Sequence, residues 1–201
     1  MLKLNDRGHT AKDVENAVLL IKEFGFELGL QMMTGLYGDT DEKAILTAKK
    51  ILLLSPDTVR IYPTIVLKNT RLAELFECGE YIPQTLDDAV SLSAELLNIF
   101  ESAGINVIRL GLHSIEDNSY VAGPWHPAFS ELCDSYRFLM KIKNSCEPNK
   151  AYEIFVNPAD ISKAVGQKKQ NMAELSRLKI NVKFIQDDNI TKNTLNIREV
   201  N

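Results

Sequence analysis

No uninterrupted run of about 18 apolar residues occurs anywhere in the sequence, so it offers no membrane-spanning helix. Its opening, Met1-Leu-Lys-Leu-Asn-Asp-Arg7, lacks the apolar core and small-residue cleavage site of a secretory signal, and the expectation is a cytoplasmic protein with no membrane partner. Cysteine is scarce: Cys78, Cys133 and Cys146 stand 55 and 13 residues apart, and no Cys-x-x-Cys pair exists. That excludes a disulfide scaffold and gives neither zinc nor iron–sulfur spacing. His9 beside a helix cap reads as an exposed or packed residue sooner than a ligand, and His113 and His126 have no second histidine or carboxylate at metal spacing, so no metal ligand is assigned. Also missing are a Gly-x-Ser-x-Gly elbow, a Walker loop and a Gly-x-Gly-x-x-Gly turn, which removes the serine hydrolase, ATPase and Rossmann dehydrogenase readings.

What is present is ordinary in bulk: 201 residues, 45% hydrophobic, 25% charged, net charge −4. Such a chain can bury a real core without staples. The charge is unevenly placed. From residue 151 onward eight lysines and arginines face six acids, net +2, and the rest of the chain is net −6. Between the two, Lys143-Asn-Ser-Cys-Glu-Pro-Asn-Lys150 is polar and proline-containing and reads as a linker over 144–150.

Over residues 1–143 helical and strand-like patterns alternate, the signature of βα units and a parallel sheet. Thr10 caps a helix that stops at Gly25; residues 26–33 read as a buried strand; Asp39-Thr40 opens a helix to about Leu54. Residues 58–62 form the next strand, Thr85 caps a long helix to about Ala103, and residues 105–110 form a third strand. Residues 151–201 run strand, two adjoining helices broken at Gly166, then two strands expected to form a hairpin or meander. This is a small α+β unit.

Four stretches carry candidate chemistry. Gly35-Leu-Tyr-Gly-Asp-Thr40 joins a strand to a helix, where glycines admit a ligand to the backbone, although a tight turn explains them equally. Tyr62 and Thr64, in Arg60-Ile-Tyr-Pro-Thr64, end a strand at the edge where ligands sit in parallel sheets. Arg7-Gly-His-Thr10 groups an arginine, a histidine and a helix cap. Gly123-Pro-Trp-His-Pro127 holds the only tryptophan in a rigid loop, suited to covering a site or stacking on a base. In the tail, Gly166-Gln167-Lys168-Lys169 joins two helices as a Gly-x-x-Gly loop does in a KH module, with lysine in place of the second glycine. There the loop admits nucleic-acid backbone, and a purely structural cap is the other reading.

Taken together, Arg7-Gly-His-Thr10, residues 25–40, Arg60-Ile-Tyr-Pro-Thr-Ile-Val-Leu-Lys-Asn-Thr70 and Gly79-Glu-Tyr-Ile-Pro83 resemble, in order and spacing, radical S-adenosylmethionine (SAM) enzymes. The branch is that of the elongator catalytic subunit and the oxygen-independent coproporphyrinogen III oxidases. The resemblance covers about residues 1–130, and the tail resembles KH modules more loosely. It implies an α/β chain consisting of the C-terminal half of a partial (β/α) TIM-like barrel with parallel strands, over 1–143, followed by a KH-like α+β domain over 151–201. The family's Cys-x-x-x-Cys-x-x-Cys loop, which holds a [4Fe–4S] cluster, has no counterpart here. The resemblance therefore implies a fragment, inactive alone and assigned no catalytic residue, whose full-length enzyme uses S-adenosylmethionine and the cluster, while this chain alone binds neither.

By the same resemblance Arg7, Gln31, Met33, Gly35, Tyr62 and Thr64 fall at cofactor-facing positions, and Gly166, Gln167, Lys168 and Lys169 at RNA-facing ones. The implied substrate is RNA, as in tRNA modification. A coproporphyrinogen oxidase-like fragment and a non-catalytic RNA-binding module are the alternatives. The implied partners are an N-terminal barrel half, tRNA or another RNA, and a second copy pairing through the unpaired edge of the first strand.

Overall fold

A computed structural model describes residues 1–113 and 118–200. The chain divides into two compact units, Met1–Phe129 and Ser130–Asn201.

In the first unit, helix α1 (Ala11–Glu23) starts at a capping box in which the Thr10 side chain and that of Asp13 each satisfy the other's backbone N–H. Strand β1 (Gly29–Thr34) follows, then α2 (Asp41–Leu53), β2 (Thr58–Pro63), the short β3 (Val66–Leu67) and α3 (Arg71–Glu77). Helix α4 (Leu86–Ser102), β4 (Asn106–Leu110) and β5 (Tyr120–Ala122) complete it. Strands β1, β2 and β4 form a parallel sheet in that order, and β3 pairs with β5 antiparallel. The core lies on one face of the parallel sheet, where Met32, Val59 and Ile61 meet Ala44, Ala48 and Ile51 of α2 and Leu92, Leu96 and Phe100 of α4. Alternation along β1 and β2 puts Gln31, Met33, Arg60 and Tyr62 on the other face.

The expected first strand, 26–33, begins three residues late. Leu28 gives its N–H to the Asp57 carboxylate at 2.7 Å and its carbonyl to the Asp57 N–H at 2.9 Å, so this stretch is fastened to the turn before β2 and Phe26 stays exposed.

The second unit contains α5 (Phe129–Ser145), β6 (Ala151–Val156), α6 (Ile161–Val165), α7 (Gln170–Arg177), β7 (Asn181–Gln186) and β8 (Leu195–Val200). Phe138, Ile142 and Cys146 pack with Ile154, Val156, Ala164 and Leu175 in its core. The division thus falls at 129/130 and not at 143/144: α5 spends its apolar stripe on the second unit. The linker expected over 144–150 carries the buried Cys146 and a Glu147 N–H that donates to the Tyr152 hydroxyl at 2.9 Å. The last two strands do not form a hairpin or meander. β6 lies between them, parallel to β7 and antiparallel to β8. The intervening loop is held across the end of β6 by Asn157, whose side-chain amide donates to the Ile190 carbonyl, and by Asp160, which accepts the Asn193 N–H.

Candidate functional site

Beyond the C-terminal ends of β1 and β2 a cleft of about 290 Å³ opens, the position ligands take in parallel sheets. Of the sequence-assigned cofactor residues it brings together Arg7, Met33 and Thr64. The N-terminal segment reaches it because Asn5 bonds both backbone groups of Tyr37, accepting its N–H at 3.1 Å and donating to its carbonyl at 3.0 Å, while Asp6 pairs with Arg71. Within Arg7-Gly-His-Thr10 the roles separate. His9 bonds the Arg7 carbonyl through Nδ1 at 2.8 Å, Thr10 caps α1, and Arg7 is left exposed at the cleft.

Thr64 is 5% exposed and its hydroxyl has no hydrogen-bond partner, as is also true of the fully buried Thr34 at the end of β1. An unsatisfied buried hydroxyl costs about 1–3 kcal/mol, and Thr64 carries one at the wall of the cleft, covered but within a residue that lines it. The cleft therefore fits a small polar molecule whose acid group meets Arg7 and whose donor or acceptor meets Thr64.

Gly35 lines a neighbouring cavity of about 270 Å³ with Asp39, Tyr81 and Gln84. Its φ of +70° favours glycine, and a Cβ there would stand 2.6 Å from Gln84 Oε1. Its carbonyl accepts the Tyr81 hydroxyl at 2.6 Å, and its N–H donates to Asp39 at 3.2 Å. Burial raises the Asp39 carboxyl above its ordinary value, and burial with the Asp39 charge pushes the Tyr81 phenol up to about 12. Gln31 and Tyr62 line neither cavity. Tyr62 is the register partner of Met33, and Gln31 lies one pleat deeper on the same sheet face. The tryptophan loop returns to its own unit: the Trp125 indole donates to the His113 carbonyl at 3.4 Å, and its ring lies 6.2 Å from that of Tyr120.

The cysteines do not suit a [4Fe–4S] cluster. Cys78 is exposed, Cys133 and Cys146 are buried with thiols pushed up by burial, and the described residues contain no group of three His, Cys, Asp or Glu side chains placed to hold a metal ion.

In the second unit, Gly166 (φ +82°) ends α6, and Lys168 (φ +48°, ψ +30°) and Lys169 (φ +61°, ψ +28°) are both left-handed before α7. These are conformations that glycine adopts freely and lysine at a cost, and Lys169 holds one of them at the position of the second glycine in a Gly-x-x-Gly pattern. The loop is pinned by Asn171, 1% exposed, whose amide donates to the Ser135 carbonyl (2.9 Å), the Ser135 hydroxyl (3.1 Å) and the Ala164 carbonyl (3.1 Å). Sequence reasoning found the lysines but not Asn171 or the Asn5 clasp, since both depend on contacts more than 30 residues apart.

The Radical SAM C-terminal domain family matches residues 56–137. A tRNA uridine(34) acetyltransferase of Methanocaldococcus infernus is 33% identical over 95 residues, 46% of this chain and 18% of that protein. Human Elongator complex protein 3 is 34% identical over 95 residues, 46% of this chain and 17% of its own length. An uncharacterized Methanocaldococcus jannaschii protein is 30% identical over 127 residues, 62% of this chain and 38% of that one. Among solved structures, the archaeal M. infernus Elp3 with residues 1–46 deleted superposes with a TM-score of 0.60 at 26% identity, over 71% of this chain and 33% of that chain. The chain thus spans well under half the length of these curated relatives.

Proposed function

The chain is homologous to the Elp3 and tRNA uridine(34) acetyltransferase proteins, a radical SAM family, and from that premise we propose that it forms part of the cofactor and RNA-facing wall of a tRNA-modifying radical SAM protein. In this reading its first unit is part of a TIM-like barrel completed by strands from outside this chain. Its second unit is a KH-like module acting in the cytoplasm on tRNA. The observation that carries the cofactor half is the cleft of Arg7, Met33 and Thr64 with its buried, unpartnered hydroxyl.

Arg7 would hold the carboxylate of S-adenosylmethionine, Thr64 would hydrogen-bond a polar atom of it, and Met33 would supply apolar contact. When bound with its cluster, that cofactor supplies radical chemistry started by a single electron. The cysteines of this chain do not fit the cluster, so the chain by itself is proposed to be inactive. Calorimetric titration with S-adenosylhomocysteine tests the cleft without requiring turnover. The sequence alone leads to an expectation of no cofactor binding by the isolated chain; the cleft replaces it with an expectation of saturable binding, weakened about tenfold by Arg7→Gln or by Thr64→Val, the loss of one hydrogen bond to a charged or buried group. Binding indifferent to both substitutions would remove these residues from the site.

A further inference from the structure

On the sheet face opposite the core, β2 and β4 set two arginines side by side. Arg60 is flanked by Val59 and Ile61, both fully buried, so its side chain projects away from the core, and its register partner on β4 is Arg109. That pairing exists only because of a bulge. Val107 and Leu110 of β4 both pack on the core, and strict alternation would send Arg109 inward behind Val107. The register shift between Val59 and Arg60 inserts Ile108, 47% exposed, and turns Arg109 onto the face of Arg60.

Adjacent strands lie about 4.7–4.9 Å apart, and like charges directly opposite destabilise a sheet. A bulge that sets a second arginine at the register position beside the first therefore places like charges on neighbouring strands, an arrangement that an anion between them would offset. Among the described residues neither arginine is in an ion pair. Arg109 is held in place by neutral acceptors, donating from Nη2 to His113 Nδ1 at 2.7 Å and from Nε to the Gly111 carbonyl at 3.4 Å. On the far side of Arg60, Gln31 is its register partner on β1 and adds an amide to the row.

We propose that Gln31, Arg60 and Arg109 form an oxyanion site for a phosphate group, with His113 as the residue that positions Arg109. Guanidinium forks bind such groups through paired charge-assisted hydrogen bonds, and two of them with a neutral donor suit a tetrahedral, multiply charged phosphate better than a single carboxylate. The site is one pleat deeper than Met33 and Tyr62, and its existence does not depend on the S-adenosylmethionine or tRNA assignments.

The test uses the whole chain labelled with ¹⁵N-arginine and titrated with inorganic phosphate, with sodium acetate and sodium chloride at matched ionic strength as controls. The Nε–Hε resonances of Arg60 and Arg109, assigned through Arg60→Gln and Arg109→Gln, are expected to move saturably with phosphate and far less with the other salts. Each substitution should weaken phosphate binding at least tenfold. Phosphate should raise the melting temperature of the native chain and leave that of Arg60→Gln unmoved, while without phosphate Arg60→Gln melts no lower than the native chain because a repulsion has been removed. Equal shifts with chloride, saturation by acetate at the same concentration, or a phosphate-dependent rise retained in Arg60→Gln would each overturn the proposal.

Discussion

Individual side chains divide into those whose role is written in their immediate neighbours and those that need the fold. Thr10, Thr40 and Thr85 cap helices by accepting an N–H three residues ahead, a local pattern that the sequence displays directly. Arg60 and Arg109 look like ordinary strand arginines until register and a bulge make them neighbours. Asp39 is intermediate: its place in a glycine turn is visible, but its burial is not. Because its carboxyl is raised in the folded state, the folded protein holds that proton more tightly than the unfolded chain. Asp39 therefore favours folding at low pH, and this contribution is lost as pH rises from its ordinary value of 3.8 through the raised one. Asp39→Asn keeps an oxygen for the Gly35 N–H and carries no charge. Its melting temperature is expected to exceed that of the native chain near about pH 7 and to match it near about pH 3, on a scale of about 2–4 °C per kcal/mol. A difference that shrinks as pH rises would mean the carboxylate is stabilising.

Among elements, the parallel strands and the helices between them were legible because apolar period and cap coincide. The β3–β5 pair was not legible, since two or three residues carry no periodicity. Helix α5 was missed, although Phe138 and Ile142, four residues apart, share the face it buries. The polar stretch after it drew the boundary to the wrong side of a helix that packs on β6, α6 and α7. The order β7-β6-β8 was hidden because loop contacts from Asn157 and Asp160, not the strands' own pattern, carry β8 across. The loop between α6 and α7 makes a prediction of its own. Replacing Lys168 and Lys169 with alanine is expected to weaken tRNA binding and to flatten its salt dependence by roughly 1.5 in log–log slope, two phosphate contacts' worth. Fluorescence anisotropy at several salt concentrations reads both, and an unchanged slope would make the loop a structural cap.

For the molecule as a whole, β1 is an edge of its sheet, and Leu19 and Leu20 of α1, Phe24 capping its C-terminus and Phe26 before β1 are 55–72% exposed. An uncovered edge beside apolar surface is a template for pairing. We propose that in the isolated chain the occupant is a second copy. Light scattering at micromolar concentration is expected to give a dimer or larger species, and a monodisperse monomer would contradict it. No helix among the described residues is long and apolar enough to cross a membrane.

The central claim, that this chain presents a cofactor cleft and an RNA-facing loop, is tested most directly by hydrogen–deuterium exchange of the whole chain. The exchange is followed with tRNA, with S-adenosylhomocysteine, and with neither. The account predicts slowed exchange at residues 166–171 with tRNA and at residues 5–7, 33–37 and 64–65 with S-adenosylhomocysteine. Exchange unchanged by both ligands, or slowed only at segments outside these, would contradict it.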